Sequence, residues 1–143
     1  GACCKAMTWG DLSRESARAA SMLMRTRTTT AYRTVVSRAY YAVYQLVTHR
    51  LTAAGFGDFG AIGDAERRNP RHEALHRHAQ RNVPGLSTRQ RRLISEAISR
   101  LRTRRVEADY RPGVTVDERV ARDSLRDMHS AIRILNSTER GRQ

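Results

Sequence analysis

Apolar residues recur along this chain at three- and four-residue intervals, the period of a helix that buries one face. The pattern is clearest at Tyr32, Val35, Val36, Ala39, Tyr40, Val43, Val47 and Leu51, which together predict a long helix. Its other face carries Thr34, Arg38, Tyr41, Gln45 and His49, and Gly55 and Gly57 end it at the start of a glycine-rich loop reaching Gly63. Upstream, Thr8 is placed to cap a first helix over residues 9–25, with Asp11 in its acidic first turn. The stripe there (Trp9, Leu12, Ala19, Ala20, Leu23) is looser, and the β-branched residues of 26–30 read as a link. Asn69 and Pro70 form an N-cap and first-turn proline for a third helix over 70–81, and Pro84-Gly85 is a turn. Ser87 caps a fourth helix with Ile94, Ala97, Ile98, Leu101 and Ala108 inward, which Pro112-Gly113 forces to stop near Tyr110 or Arg111. A fifth helix starts at Thr115 or Asp117 and turns Val116, Val120, Leu125, Met128, Ile132 and Leu135 to the core. No segment alternates as a strand would, and no internal repeat appears. The pattern predicts an all-α, up-down bundle of about five helices, with residues 8–137 as one domain. Residues 1–7 read as a disordered or appended tail and 138–143 as a C-terminal tail.

Length agrees with that single core, since 143 residues leave no room for two. No apolar run approaches the roughly 18 residues of a membrane span, because Arg38 interrupts the richest stretch. Cys3 and Cys4 are adjacent in the tail, with no His or Cys at zinc spacing. The expectation is a reduced, cytoplasmic setting with no structural metal and no cofactor. Charge changes the picture more. The net charge is +13, and 26 of the 27 basic residues are arginine. Between residues 66 and 111 stand 13 arginines against five acidic residues, a net +8. Charge gathered in one third of the chain favours an anionic partner, with nucleic acid ahead of membrane, over a merely solvated surface.

One charged residue breaks the helical pattern. At about 100° per residue, Arg105 falls inside the arc marked by Ile94, Ile98, Leu101 and Ala108. A guanidinium aimed at a core or interface needs partners, because an unpaired buried charge is costly. Asp109 lies one turn on, Arg102 one turn back, and Tyr110 ends the helix beside them. Two readings follow. The plain one is an i,i+4 ion pair worth a few tenths of a kcal/mol. The functional one is an arginine that binds a phosphate, with a carboxylate that orients it or moves a proton.

Two motifs make the second reading specific. The run Ser37, Arg38, Ala39, Tyr40, Tyr41, Ala42, Val43, Tyr44 resembles the S-R-A-Y-Y-A-x-F signature of one bacterial and archaeal branch of the HEPN superfamily. The run Arg105, Val106, Glu107, Ala108, Asp109, Tyr110 resembles that branch's R-x-x-A-D-Y signature at the end of its fourth helix. The resemblance covers roughly residues 12–135. It implies a bundle that dimerises, with the motif arginines of both subunits facing one cleft. It also implies RNA as substrate or ligand in a toxin–antitoxin or defence module, and a nucleotidyltransferase antitoxin as partner. Many members are metal-independent endoribonucleases with an R-x(4–6)-H motif, in which the His assists the ribose 2′-hydroxyl and the Arg stabilises charge. Here Asp109 occupies the place of that His, and no histidine follows Arg102, Arg104 or Arg105 at the motif's spacing.

The resemblance thus yields two expectations. The first is an RNA-directed protein whose catalytic set is Arg105, Asp109 and Tyr110, with Arg38, Tyr41, Arg102 and His72 at the RNA. The second is a catalytically silent partner or substrate of a minimal nucleotidyltransferase, with Tyr110 as a modification target. His72 and His76 share a helical face at i,i+4 spacing, which is either a weak metal pair or a titratable polar face; His72 is also placed to support the Arg105 cleft. Tyr41 beside Arg38 suits either a stacked base or a dimer interface.

Overall fold

A computed structural model describes residues 6–56 and 72–140, with 138–140 as backbone only, and these residues form an all-α helical bundle. Its five helices are α1 (Trp9–Met24), α2 (Thr29–Ala53), α3 (His72–Arg81), α4 (Thr88–Tyr110) and α5 (Glu118–Arg140). No strand occurs among the described residues, and no helix among them is long and apolar enough to cross a membrane.

The caps explain the helix starts. Thr8 and Asp11 form a reciprocal capping box at α1, and Ser87 and Gln90 form another at α4. Asp117 accepts from the Val120 amide at 3.0 Å, which selects it over Thr115 as the start of α5. The link between α1 and α2 is shorter than the expected 26–30. Thr28 accepts from the Ala31 amide, so Thr29 and Thr30 already belong to the helix. An N-cap outweighs the weak helix propensity of a short threonine run. Gly55, at φ 93°, turns the chain out of α2. The expected cap at Asn69-Pro70 and the loop over 57–63 lie outside the described residues, and α3 is described from His72 onward.

α2 is the central helix and packs against each of the other four. Its buried residues include the predicted stripe except Tyr32, which is partly covered, and also Ala42, Tyr44, Leu46 and Thr48, so it is covered nearly all round. Its contact with α1 is where the apolar pattern misled. The buried residues of α1 are Gly10, Ser13, Ser16 and Ala20, whereas Trp9, Leu12 and Leu23 are only partly covered. Small side chains spaced by one turn let the two backbones approach. Ser13 donates to the Ala42 carbonyl at 2.6 Å, and Ser16 pairs with Gln45 at 2.8 Å. Seating α1 this closely holds α2 in place, with Ser37, Tyr40 and Tyr41 available to α4.

Candidate functional site

Arg105 lies where the sequence places it, on the inward arc of α4, with its side chain 12% exposed. Nε donates to Asp109 Oδ2 at 3.1 Å, while Nη2 donates to the hydroxyls of Tyr41 at 2.9 Å and Tyr110 at 3.2 Å. The guanidinium carbon stands 5.2 Å from the ring centroids of both Tyr41 and Tyr110 and 5.8 Å from that of Tyr40. Cation–π attraction and charge-assisted hydrogen bonds therefore act on one group together. Ser37 closes the arrangement by donating to Asp109 Oδ2 at 3.2 Å. The plain i,i+4 reading omits this: the Arg105–Asp109 pair is tied to α2 by a serine and two tyrosines.

The two sequence motifs thus meet. Tyr41 and Arg105 are 64 residues apart, Ser37 and Asp109 are 72 apart, and both pairs are hydrogen-bonded. Arg38 joins from α2, its guanidinium 5.1 Å from the Tyr41 ring centroid. Tyr110 is 67% exposed and marks the open side of the cluster. Each phenol that accepts from Arg105 keeps its own proton to donate. To an incoming anion the cluster therefore offers two phenolic O–H donors beside a held positive charge. Asp109 Oδ2 already accepts twice, from Ser37 and Arg105.

His72 reaches the cluster from α3. It hydrogen-bonds the buried Tyr40 hydroxyl through Nδ1, and its ring packs against Tyr40 and Tyr44. Burial lowers the His72 pKa, and Arg102 and Arg105 lower it further against the opposing effect of Glu73. Burial likewise pushes the Tyr40 phenol up, with Tyr44 adding to it. Both shifts favour the neutral forms, so a phenol and a neutral imidazole share this hydrogen bond, with its direction set by the histidine tautomer.

Arg102, one turn before Arg105, acts with it on Tyr40 and His72. It makes no hydrogen bond or ion pair among the described residues and also lines a cleft with His76 and Arg111. His72 and His76 are therefore divided between the two places. No group of three metal-ligating side chains forms among the described residues.

Sequence reasoning missed Arg33. Its guanidinium donates to the carbonyls of Ala108 at 2.8 Å and of Glu107, Arg111 and Pro112 at 3.4 Å, and also to that of Val114. It thereby caps the C-terminal end of α4, where carbonyl groups lack helical partners. The only available signal was an arginine one residue after the predicted stripe began.

No family model, curated protein or solved structure matches this chain.

Proposed function

We propose that this chain is an RNA-directed protein of a toxin–antitoxin or defence module, related to the HEPN superfamily its motifs resemble. In this reading it works in the cytoplasm as a homodimer, possessing at most a degenerate form of the metal-independent endoribonuclease motif. Arg105, Asp109 and Tyr110 form its site, and Arg38, Tyr41, Arg102 and His72 surround the RNA. The observation that carries the reading is the convergence of the two motif runs on one guanidinium. Ser37 and Tyr41 come from the first run, Arg105, Asp109 and Tyr110 from the second, and all five are joined by hydrogen bonds. The net +8 of residues 66–111 supplies the attraction for a polyanion.

Incubation with mixed RNA, with and without chelator, tests it. The wild-type chain should bind RNA and, if the degenerate motif acts, cleave it equally in both conditions. Arg105→Ala should lose the effect while a melting curve shows the chain still folded. Equal behaviour of variant and wild type in RNA binding, cleavage and cell toxicity would overturn the site assignment. The dimer is checked separately by light scattering, where a mass of one chain at micromolar concentration contradicts it.

A specific observation favours the second reading, a catalytically inactive partner or substrate of a minimal nucleotidyltransferase. Asp109 stands where the motif histidine would be, and its charge is committed to Arg105. Tyr110 meanwhile is 67% exposed, as a modification target must be, with its hydroxyl accepting from Arg105. Intact-mass measurement after co-expression with such an enzyme distinguishes the two readings.

A further inference from the structure

Asp109 and Tyr110 are the last two residues of α4, and the end of a helix is where its backbone opens most readily. α4 has little of its own to hold that end. Its last turn carries no basic residue, and Gly113 does not adopt the left-handed conformation that usually closes a helix. The Arg111 amide, bonded to the Glu107 carbonyl at 3.1 Å, supplies the one backbone cap.

Arg33 makes up the difference from another helix. Its carbonyl partners fall on both sides of the two site residues: Glu107 and Ala108 before them, Arg111, Pro112 and Val114 after them. The guanidinium is half-buried and meets no carboxylate among the described residues, so its charge is spent wholly on the negative end of α4. Arg33 also belongs to a series. Arg33, Ser37 and Tyr41 follow one another at four-residue spacing along one edge of α2. The first holds the backbone around Asp109 and Tyr110, the second donates to the Asp109 carboxylate, and the third accepts from Arg105. The ladder therefore continues one turn beyond the motif run that begins at Ser37.

We propose that Arg33 is the positioning residue of the Arg105 site: by gripping the backbone on either side of Asp109 and Tyr110, it keeps their carboxylate and phenol on the Arg105 guanidinium while binding neither side chain. Without it the last turn of α4 opens, and Arg105 keeps only its contacts to Tyr40 and Tyr41 on α2. This role deepens the RNA-directed reading and rests on that reading only for what the positioned site acts on.

NMR of the full chain tests it, through the Nε–H signal of Arg105 and the fluorine signal of Tyr110 in 3-fluorotyrosine-labelled protein. Arg105→Lys and Tyr110→Phe assign the two signals. Arg33→Gln should speed solvent exchange of the Arg105 Nε–H about tenfold or more, the loss of a charge-assisted hydrogen bond, and should move the Tyr110 signal towards that of free tyrosine. Arg33→Lys should fall between, because an ammonium donates to carbonyls but lacks the fork that spans several of them. Arg100→Gln removes one arm of the α4–α5 clamp on Asp127 and serves as the control for general loosening. It should lower the melting temperature yet leave both signals in place. Unchanged signals in Arg33→Gln, or equal changes in Arg100→Gln, overturn the proposal. Should Arg33→Gln fail to fold, Arg33→Lys decides: a partial change supports the role, and wild-type signals overturn it. RNA binding and cleavage measured on the same samples separate this role from the reading beneath it. Loss of the RNA effect together with the Arg105 signal supports both. A lost signal with the RNA effect intact, or with no RNA effect even in the wild-type chain, keeps the role of Arg33 and counts against RNA as the target of the site. An RNA effect lost while both signals persist overturns the positioning role and leaves the RNA-directed reading standing.

Discussion

At the scale of single residues, the site is a case of one charge held by several weak partners. An exposed i,i+4 pair contributes only a few tenths of a kcal/mol, but Arg105 adds two phenolic acceptors and three aromatic faces to Asp109. The neighbouring Tyr40–His72 bond makes part of this arrangement sensitive to pH. His72 is held neutral in the fold, with its pKa below the ordinary value of about 6.5. Above that value both folded and unfolded chains carry a neutral His72, and its contribution to stability is fully present. As pH falls below it the unfolded chain takes up a proton first, so stability declines until the folded pKa is reached. The groups facing the ring are Tyr40, Tyr44, Arg102, Arg105 and Glu73, and the two arginines oppose protonation. His72→Gln keeps an acceptor for Tyr40 but cannot titrate. Melting temperature measured from pH 7.5 down to pH 5 should fall less steeply for this variant; parallel curves would remove His72 from the acid response. The inward Arg105 and its Asp109 partner were legible in the sequence because a charged residue broke an apolar arc. The roles of Ser37 and Arg33 were not, because each acts on residues more than 70 positions away, across a distance that periodicity does not encode.

Among the elements, the five helices and most of their ends were legible, since caps and apolar spacing are local signals. The buried face of α1 was not. A search for apolar residues finds Ala20 but overlooks Gly10, Ser13 and Ser16, which complete a face where what is selected is smallness. An added Cβ at Gly10 would meet the His49 ring at 3.3 Å, which shows how little space the seam leaves. Ser16 gives the cleanest test. Ser16→Leu adds volume to a packed contact and removes one hydrogen-bond partner of the Gln45 amide. Overpacking of this kind costs roughly 1–3 kcal/mol, and the lost hydrogen bond adds to it. The measurement is the denaturant midpoint. A loss well under 1 kcal/mol would mean the seam is looser than the distances imply. Because Tyr40 and Tyr41 sit on the same helix as Gln45, displacement of α1 should also weaken the cluster around Arg105.

For the whole molecule, the question is whether the arginine excess works on a polyanion or merely solvates the surface. Several arginines are already paired: Arg100 and Arg104 both bind Asp127, linking α4 to α5, and Arg105 is enclosed. Among the other arginines of residues 66–111, Arg77, Arg89 and Arg92 are exposed, Arg102 lines the α3–α4 cleft, and Arg71 lies outside the described residues. Arg92 has only a 4.0 Å contact with an exposed Glu96, which leaves it largely available. If these groups meet a strand, binding releases counterions, and affinity should fall with a log–log slope near −0.7 for each phosphate neutralised. Replacing Arg77, Arg89 and Arg92 together by glutamine should then reduce that slope by roughly 2, with little change in melting temperature because all three side chains face solvent. On the RNA-directed reading, enclosed Arg105 should contribute little to the slope although its replacement should abolish function, so slope and function would separate a surface that attracts RNA from a cluster that acts on it. A nucleotidyltransferase held through an apolar interface should show a much shallower dependence on salt. RNA binding measured from low to moderate salt reads both quantities. Flat, weak binding across that range would retire the RNA-directed reading and leave the protein-partner module as the function of this fold.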